Sequence, residues 1–208
     1  MSRRYNVHVV GWITLLCIWA WGAAAAPLAA QAPWTPGSLR IELRGEGAWP
    51  TGELRDILDD RGFGFGAAVR YVPVRPLAVY AGIDRFSFKE SEEGVKTHLH
   101  DTGVRAGVQL VAPLGARVPL TPFAAAGLLY NWTWLKRSAN DVSREVHADP
   151  RFGFEVGGGV AVHVARHVWL VPELRFRQHE ADIGDVLGSD HVLTVSYLGL
   201  NFGLLFEL

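Results

Sequence analysis

Cysteine is nearly absent: Cys17 is the single one, and it lies in the N-terminal apolar segment. Without that segment the chain carries no thiol, which excludes disulfides, thiol catalysis and cysteine-ligated metal. An excess of one charge sign is also lacking. Twenty lysines and arginines face 21 acids, a formal net charge of −1. No basic patch or stripe of the kind a nucleic-acid partner needs is present. Beyond residue 26 there is no apolar run fit for a spanning helix and no long charged helix-like stretch. What is plentiful is apolar residue, 49% with a mean hydropathy of +0.13, together with 23 glycines in 208 residues. That is high apolarity for a soluble domain.

The N-terminus has the layout of a secretory signal peptide. Arg3 and Arg4 precede an almost wholly apolar run over residues 9–26, and small residues follow at Ala30 and Ala32. A membrane anchor is the rival, since the run sits at the lower edge of spanning length. The alanine-rich end, the small residues after Pro27 and the lack of any other helical span favour the signal peptide. The expected organisation is therefore a signal peptide over residues 1–32 and one domain over residues 33–208.

From Ser38 onward the hydrophobic period is two rather than 3.6. In residues 38–49, Leu39, Ile41, Leu43 and Trp49 share one face, and Arg40, Glu42, Arg44 and Glu46 the other. Residues 62–74 set Phe63, Phe65, Val69 and Tyr71 against Gly62, Gly64, Gly66 and Arg70. Residues 77–88 have the least clear register, with Asp84 a candidate for the polar face. Residues 99–112 oppose Val104, Val108 and Leu110 to Gly103, Arg105 and Gln109. In residues 120–135, Leu128, Tyr130, Trp132 and Trp134 align. Residues 152–164 oppose Phe152, Phe154 and Val156 to Glu155, Gly157 and His163. Residues 168–178 oppose Leu170, Leu174 and Phe176 to Glu173, Arg175 and Arg177. The last run alternates from Leu198 to Leu208. Eight segments of about 11 to 17 residues are long enough to cross a bilayer when tilted.

The links alternate in length. Polar links over residues 50–61, 89–98, 136–151 and 179–190 are long, and those at 75–76, 113–119 and 165–166 are short. Long outer loops and short periplasmic turns, with both chain ends periplasmic, are the plan of a transmembrane barrel. Pro73 and Pro122 lie near strand ends, where a missing ladder donor is tolerated; Pro172 sits deeper and points to a bulge.

Alternation alone does not say which face is inside, because a soluble ligand-binding barrel alternates too. Volume decides. An eight-stranded barrel has an interior just wide enough to be filled by side chains. Trp132, Trp134, Phe152, Phe154, Phe202 and Phe206 would overfill it, whereas the glycine-rich face fits. The apolar face therefore looks outward, and a surface of that extent needs lipid. Trp49, Tyr130, Trp132 and Trp134 near the outer strand ends, with Tyr71 and Phe206 near the inner ends, fit interfacial girdles.

Residues 38–208 resemble the small OmpA/OmpX-like outer-membrane barrels. The terminal LGLNFGLLFEL is similar to the strand read by the barrel-assembly machinery, although such chains usually end in Phe or Trp and this one ends in Leu208. The VPELRFR stretch resembles their penultimate strand. The resemblance implies an all-β, eight-stranded antiparallel up-and-down barrel in the bacterial outer membrane. Lipid and lipopolysaccharide would surround it, with an extracellular partner left unspecified.

The polar face supplies a candidate site. Arg40, Glu42, Arg44, Glu46, Arg70, Arg105, Glu155, Glu173, Arg175 and Arg177 would meet in a narrow lumen, where an unpaired charge costs several kcal/mol. The expected role is a structural barrel with a plugged, charge-paired lumen and surface loops open to a partner. The alternative is a narrow passive channel, and a lipid A-modifying enzyme comes third. Lipid A deacylases of similar architecture carry His-x-Ser and an acid. Here His179 is followed by Glu180, Ala181 and Asp182, Ser196 is expected to face lipid, and Ser189 with His191 has the order reversed. No cofactor is expected. His98 and His100, an HxH pair beside Asp101 at a loop edge, are the sole metal candidates, and His163 is expected in the lumen beside an acid.

Overall fold

A computed structural model describes residues 34–58, 60–92, 95–112, 120–139, 142–165, 167–182 and 192–208. The expected signal peptide, residues 113–119, Ser189 and His191 lie outside them. The strands are β1 (Leu39–Thr51), β2 (Gly62–Val74), β3 (Leu77–Glu92), β4 (Val95–Val111), β5 (Leu120–Ala139), β6 (Val142–His147), β7 (Arg151–Ala165), β8 (Val168–Asp182) and β9 (Val192–Glu207). All pairings are antiparallel. The sheet runs β4-β3-β2-β1-β9-β8-β7-β5-β6 and closes through β4–β5, so the first strand pairs with the last. No edge is left open around the ring, which is what a bilayer without backbone partners requires.

The ring has eight positions, although the described residues form nine strands. β5 pairs with β7 from Leu120 to Asn131 and with β6 from Trp134 to Ala139. Ala148, whose N–H donates to the Thr133 carbonyl at 2.9 Å, bridges the two. β6 thus extends the β7 rail past an interruption at residues 148–150, where Pro150 cannot donate to a ladder. Of the expected long loop over residues 136–151, residues 136–139 and 142–147 are paired strand. The link at residues 89–98 is corrected too: β3 runs to Glu92 and β4 resumes at Val95, in register throughout.

The third strand's register is now defined, with Tyr80, Asp84, Phe86 and Phe88 inward. Glycines opposite them make room. Gly64 and Gly66 pair with Phe86 and Asp84, and a Cβ on either glycine would overlap those side chains. Bulges fall at Tyr71/Val74 and His163/Ala165. The β8–β9 register passes through Pro172 unshifted, pairing it with Phe202, so the bulge expected there lies instead near the strand end. Outside, Phe63, Phe65, Ile83, Leu128, Phe152 and Phe202 are exposed, each between 56% and 78%. An apolar belt of this kind is stable only against lipid.

Candidate functional site

Strand alternation turns six arginines (Arg40, Arg44, Arg70, Arg105, Arg175, Arg177) and six acids (Glu42, Glu46, Asp84, Asp101, Glu155, Glu173) into the lumen, all buried. Asp84 and Asp101 bring the acids level with the arginines. Near the turn end, Arg70 donates to Glu42 Oε2 through Nε (2.9 Å) and Nη2 (2.6 Å) and to Gln109 Oε1 through Nη1 (2.5 Å). At mid-height Asp84 accepts from Arg44 on Oδ1 (2.5 Å), and meets Arg105 (2.9 Å) and Arg177 (3.1 Å) on Oδ2. Glu155 accepts from Arg175, Arg177 and Arg105 at 2.8 to 3.4 Å and from the Tyr80 hydroxyl at 2.7 Å. Glu173 holds the far side of Arg175 at 2.6 Å, and Glu46 lies 3.7 Å from Arg177. Six strands (β1, β2, β3, β4, β7 and β8) contribute to these contacts, so the belt ties opposite walls of the barrel together. Desolvating this many charges is costly, and only dense mutual pairing offsets it.

Apolar layers close the belt above and below. At the turn end Trp34 and Trp169 sandwich the Arg40 guanidinium at 4.3 and 4.6 Å, while Arg40 reaches Glu207 at 3.3 Å. Val72, Val111, Phe123 and Leu205 fill the space around them. At the loop end the chain leaving β1 turns inward at Gly52, whose φ of +58° is a left-handed conformation that glycine adopts readily. A short 3₁₀ turn (Gly52–Asp56) follows and drops Leu54 and Leu58 into the mouth, both 0% exposed, against Phe86, Phe88, Leu99, Leu135 and Tyr197. Glu53 accepts from the Thr194 N–H at 2.9 Å, and Ser196 donates to the Thr51 carbonyl at 2.8 Å. Ser196 is thereby buried under the turn instead of facing lipid.

Beneath that layer sits a second polar knot. Asp101 accepts from Asn131 (2.8 Å), Thr133 (3.1 Å) and Tyr197 (3.2 Å) and lies 3.3 Å from His179 Nε2. Thr133 Oγ1 meets the same Nε2 at 3.1 Å. A relay needs the acid and the hydroxyl on opposite ring nitrogens. Here both crowd one nitrogen.

No protein-family profile matches the chain, and no curated protein matches it. Solved structures do. Neisserial surface protein A is 16% identical, with a TM-score of 0.60 over 82% of this chain and 97% of that one. A major outer membrane protein from Thermus thermophilus is 13% identical, TM-score 0.53, over 82% and 99%. The outer membrane protein OprG from Pseudomonas aeruginosa is 11% identical, TM-score 0.51, over 83% and 96%. At these identities the likeness is one of fold. The chain has the fold of the small, OmpA/OmpX-like outer-membrane barrels.

On this barrel the girdle candidates separate into two groups. Tyr130 contacts both Trp132 (5.1 Å) and Phe152 (4.9 Å), and Trp134 stacks between His100 (4.9 Å) and His147 (5.5 Å). Trp49 lies under Arg61 at 5.6 Å. Tyr71 and Phe206 sit at the turn end, exposed and half-buried, apart from the rest. His98 and His100 project outward from within β4, not from a loop edge. Among the described residues no cluster of three or more metal-ligating side chains forms. His163 pairs with inward-facing Trp169 in the β7–β8 register, its ring 5.2 Å from the indole, and is exposed at the turn end just before the bulge.

Sequence reasoning missed Trp34, Trp169, Leu54, Leu58 and the Asp101 knot. Asp101 carried a usable signal, since it shares inward parity with Arg105. Leu54 and Leu58 are an i, i+4 apolar pair inside a polar link, a pattern that marks a turn packing onto a core.

Proposed function

We propose that this chain is a closed structural barrel of the bacterial outer membrane, exported by residues 1–32, with both ends periplasmic and a lumen that conducts no ions. One observation carries the reading. Five buried arginines (Arg44, Arg70, Arg105, Arg175, Arg177) meet five buried acids (Glu42, Glu46, Asp84, Glu155, Glu173) in a cross-wall belt that lies between two apolar stoppers. An ion entering the lumen would have to break charge-assisted hydrogen bonds and displace Leu54 and Leu58. The strand extensions past the girdles, with the β5–β6 hairpin, are the surface offered to an extracellular partner. The alternating C-terminal strand, paired with both β1 and β8, supports recognition by the barrel-assembly machinery. An enzymatic role finds little support. The nearest acid, histidine and hydroxyl group, Asp101, His179 and Thr133, is buried under the loop-end stopper and lacks relay geometry.

The test is single-channel conductance of the purified barrel in planar bilayers, beside a variant carrying Arg105→Ala and Arg175→Ala. A silent wild type with a conducting variant is the expected result. Steady, salt-dependent conductance in the wild type would make the chain a narrow channel.

A further inference from the structure

Above the apolar belt the outer wall of β3, β4 and β5 becomes basic. Outward residues along β3 pass from Val79 and Ile83 to Arg85 and Lys89, and along β4 from Val108 and Val104 to His100, His98 and Lys96. On β5 the change falls between Trp134 and Lys136. The register aligns these side chains: Lys89 is opposite His98, and His98 is opposite Lys136, in one row across three strands. Directly opposed residues on one face of an antiparallel sheet lie about 4.5–5.5 Å apart. The row ends on β6 at Glu145, directly opposite Lys136. Arg85, Lys89, Lys96 and Lys136 are exposed and form no ion pair with the described residues. Glu145, which also meets His147 at 3.1 Å, is the only acid among the described outward residues of this wall, one against the four cations Arg85, Lys89, Lys96 and Lys136. On the opposite wall Glu180 and Asp182 are outward on β8, with Arg151 4.0 Å from Asp182. The aromatic cluster of Tyr130, Trp132 and Phe152 lies just below the row, at the height where acyl chains give way to headgroups.

We propose that this wall is a binding site for the phosphates of an anionic outer-leaflet lipid, the glucosamine-linked phosphates of lipopolysaccharide. Its acyl chains would lie along the apolar face below Trp132. The ligand must be amphipathic because the cationic row adjoins the lipid-facing belt without a break. It must be multiply charged because the wall presents four cations, Arg85, Lys89, Lys96 and Lys136, against one acid. The inference rests on the outer-membrane placement proposed above, and membrane fractionation of cells expressing the full chain tests that placement separately.

The decisive experiment titrates the barrel, extracted from membranes after expression of the full chain, with bisphosphorylated lipid A and with the same lipid stripped of phosphate. Bound lipid is counted by native mass spectrometry. Binding of the phosphorylated form should weaken about tenfold when Lys89→Gln and Lys136→Gln are combined, and should recover with Lys89→Arg and Lys136→Arg. Glu180→Gln, on the opposite wall, should leave it unchanged. These positions are exposed, and heat-modified gel mobility reports whether each variant is folded. Equal binding of the phosphate-free lipid, or undiminished binding by the folded double glutamine variant, would overturn the proposal. Displacement of lipid A by inorganic phosphate alone would also overturn it, since the row would then serve soluble anions. A chain absent from the outer membrane would sink the placement; a chain present there that ignores lipid A would sink only this site.

Discussion

Arg175 grips Glu155 through a single nitrogen: Nη1 donates to both carboxylate oxygens, at 2.8 and 2.9 Å, across the β7–β8 pair. Arg177 and Arg105 bind the same carboxylate from their own strands. Glu155 is therefore the anion that keeps three buried guanidinium groups together. Glu155→Gln keeps the shape and removes the charge, leaving those arginines in excess. The expected loss is about 3–5 kcal/mol, the cost of an uncompensated buried charge, read from urea unfolding of the barrel in lipid vesicles. Adding Arg175→Met should restore part of it. A loss under about 1 kcal/mol for the single change would mean that the belt does not hold the barrel.

Much of this was legible in the chain because alternation is a strong signal. The positions of Arg40, Glu42, Arg44, Arg70, Arg105, Glu155, Glu173, Arg175 and Arg177 follow from parity alone once the wide aromatics are turned outward. Asp84 was harder: β3 places Tyr80, Phe86 and Phe88 on the lumen side, so its inward face looks as apolar as its outward one. The stoppers were harder to read for a different reason. Trp34 precedes β1, and Leu54 and Leu58 lie in a link, so neither carries a strand period. Their burial is decided by where the chain turns at Gly52 and by Arg75, whose Nε holds the Trp34 carbonyl at 2.9 Å. The long polar links misled because charged residues such as Lys89, His98 and Lys136 read as loop, whereas they continue the ladder above the membrane.

The loop-end stopper and the charge belt act in series, which separates their effects on conductance. Leu54→Ser with Leu58→Ser removes the apolar layer but leaves Asp84, Glu155 and their arginines joined, so that variant should stay closed in a planar bilayer. Combined with Arg105→Ala and Arg175→Ala, the same changes should lengthen openings relative to the arginine variant alone. Steady current through the leucine variant by itself would show that the barrier is the mouth and that the belt beneath it is permeable.

The outward belt makes a depth-dependent claim about the membrane. Leu128 lies midway along β5 and is 65% exposed, between Ala124 and Trp132 on the lipid-facing side. Val192 is also exposed, but it opens β9 at the loop end, opposite Asp182. Leu128→Arg should cost about 2–4 kcal/mol, as for a cation on the lipid face near the bilayer midplane, and Val192→Arg less than about 1 kcal/mol. Both are read from unfolding free energies in vesicles of one lipid thickness. The same pair in a short-chain detergent micelle should converge, because a micelle lacks a defined midplane. Equal costs in vesicles would mean that Leu128 does not face hydrocarbon. The belt would then have to be covered by protein, and the barrel would sit in the membrane as part of a larger assembly.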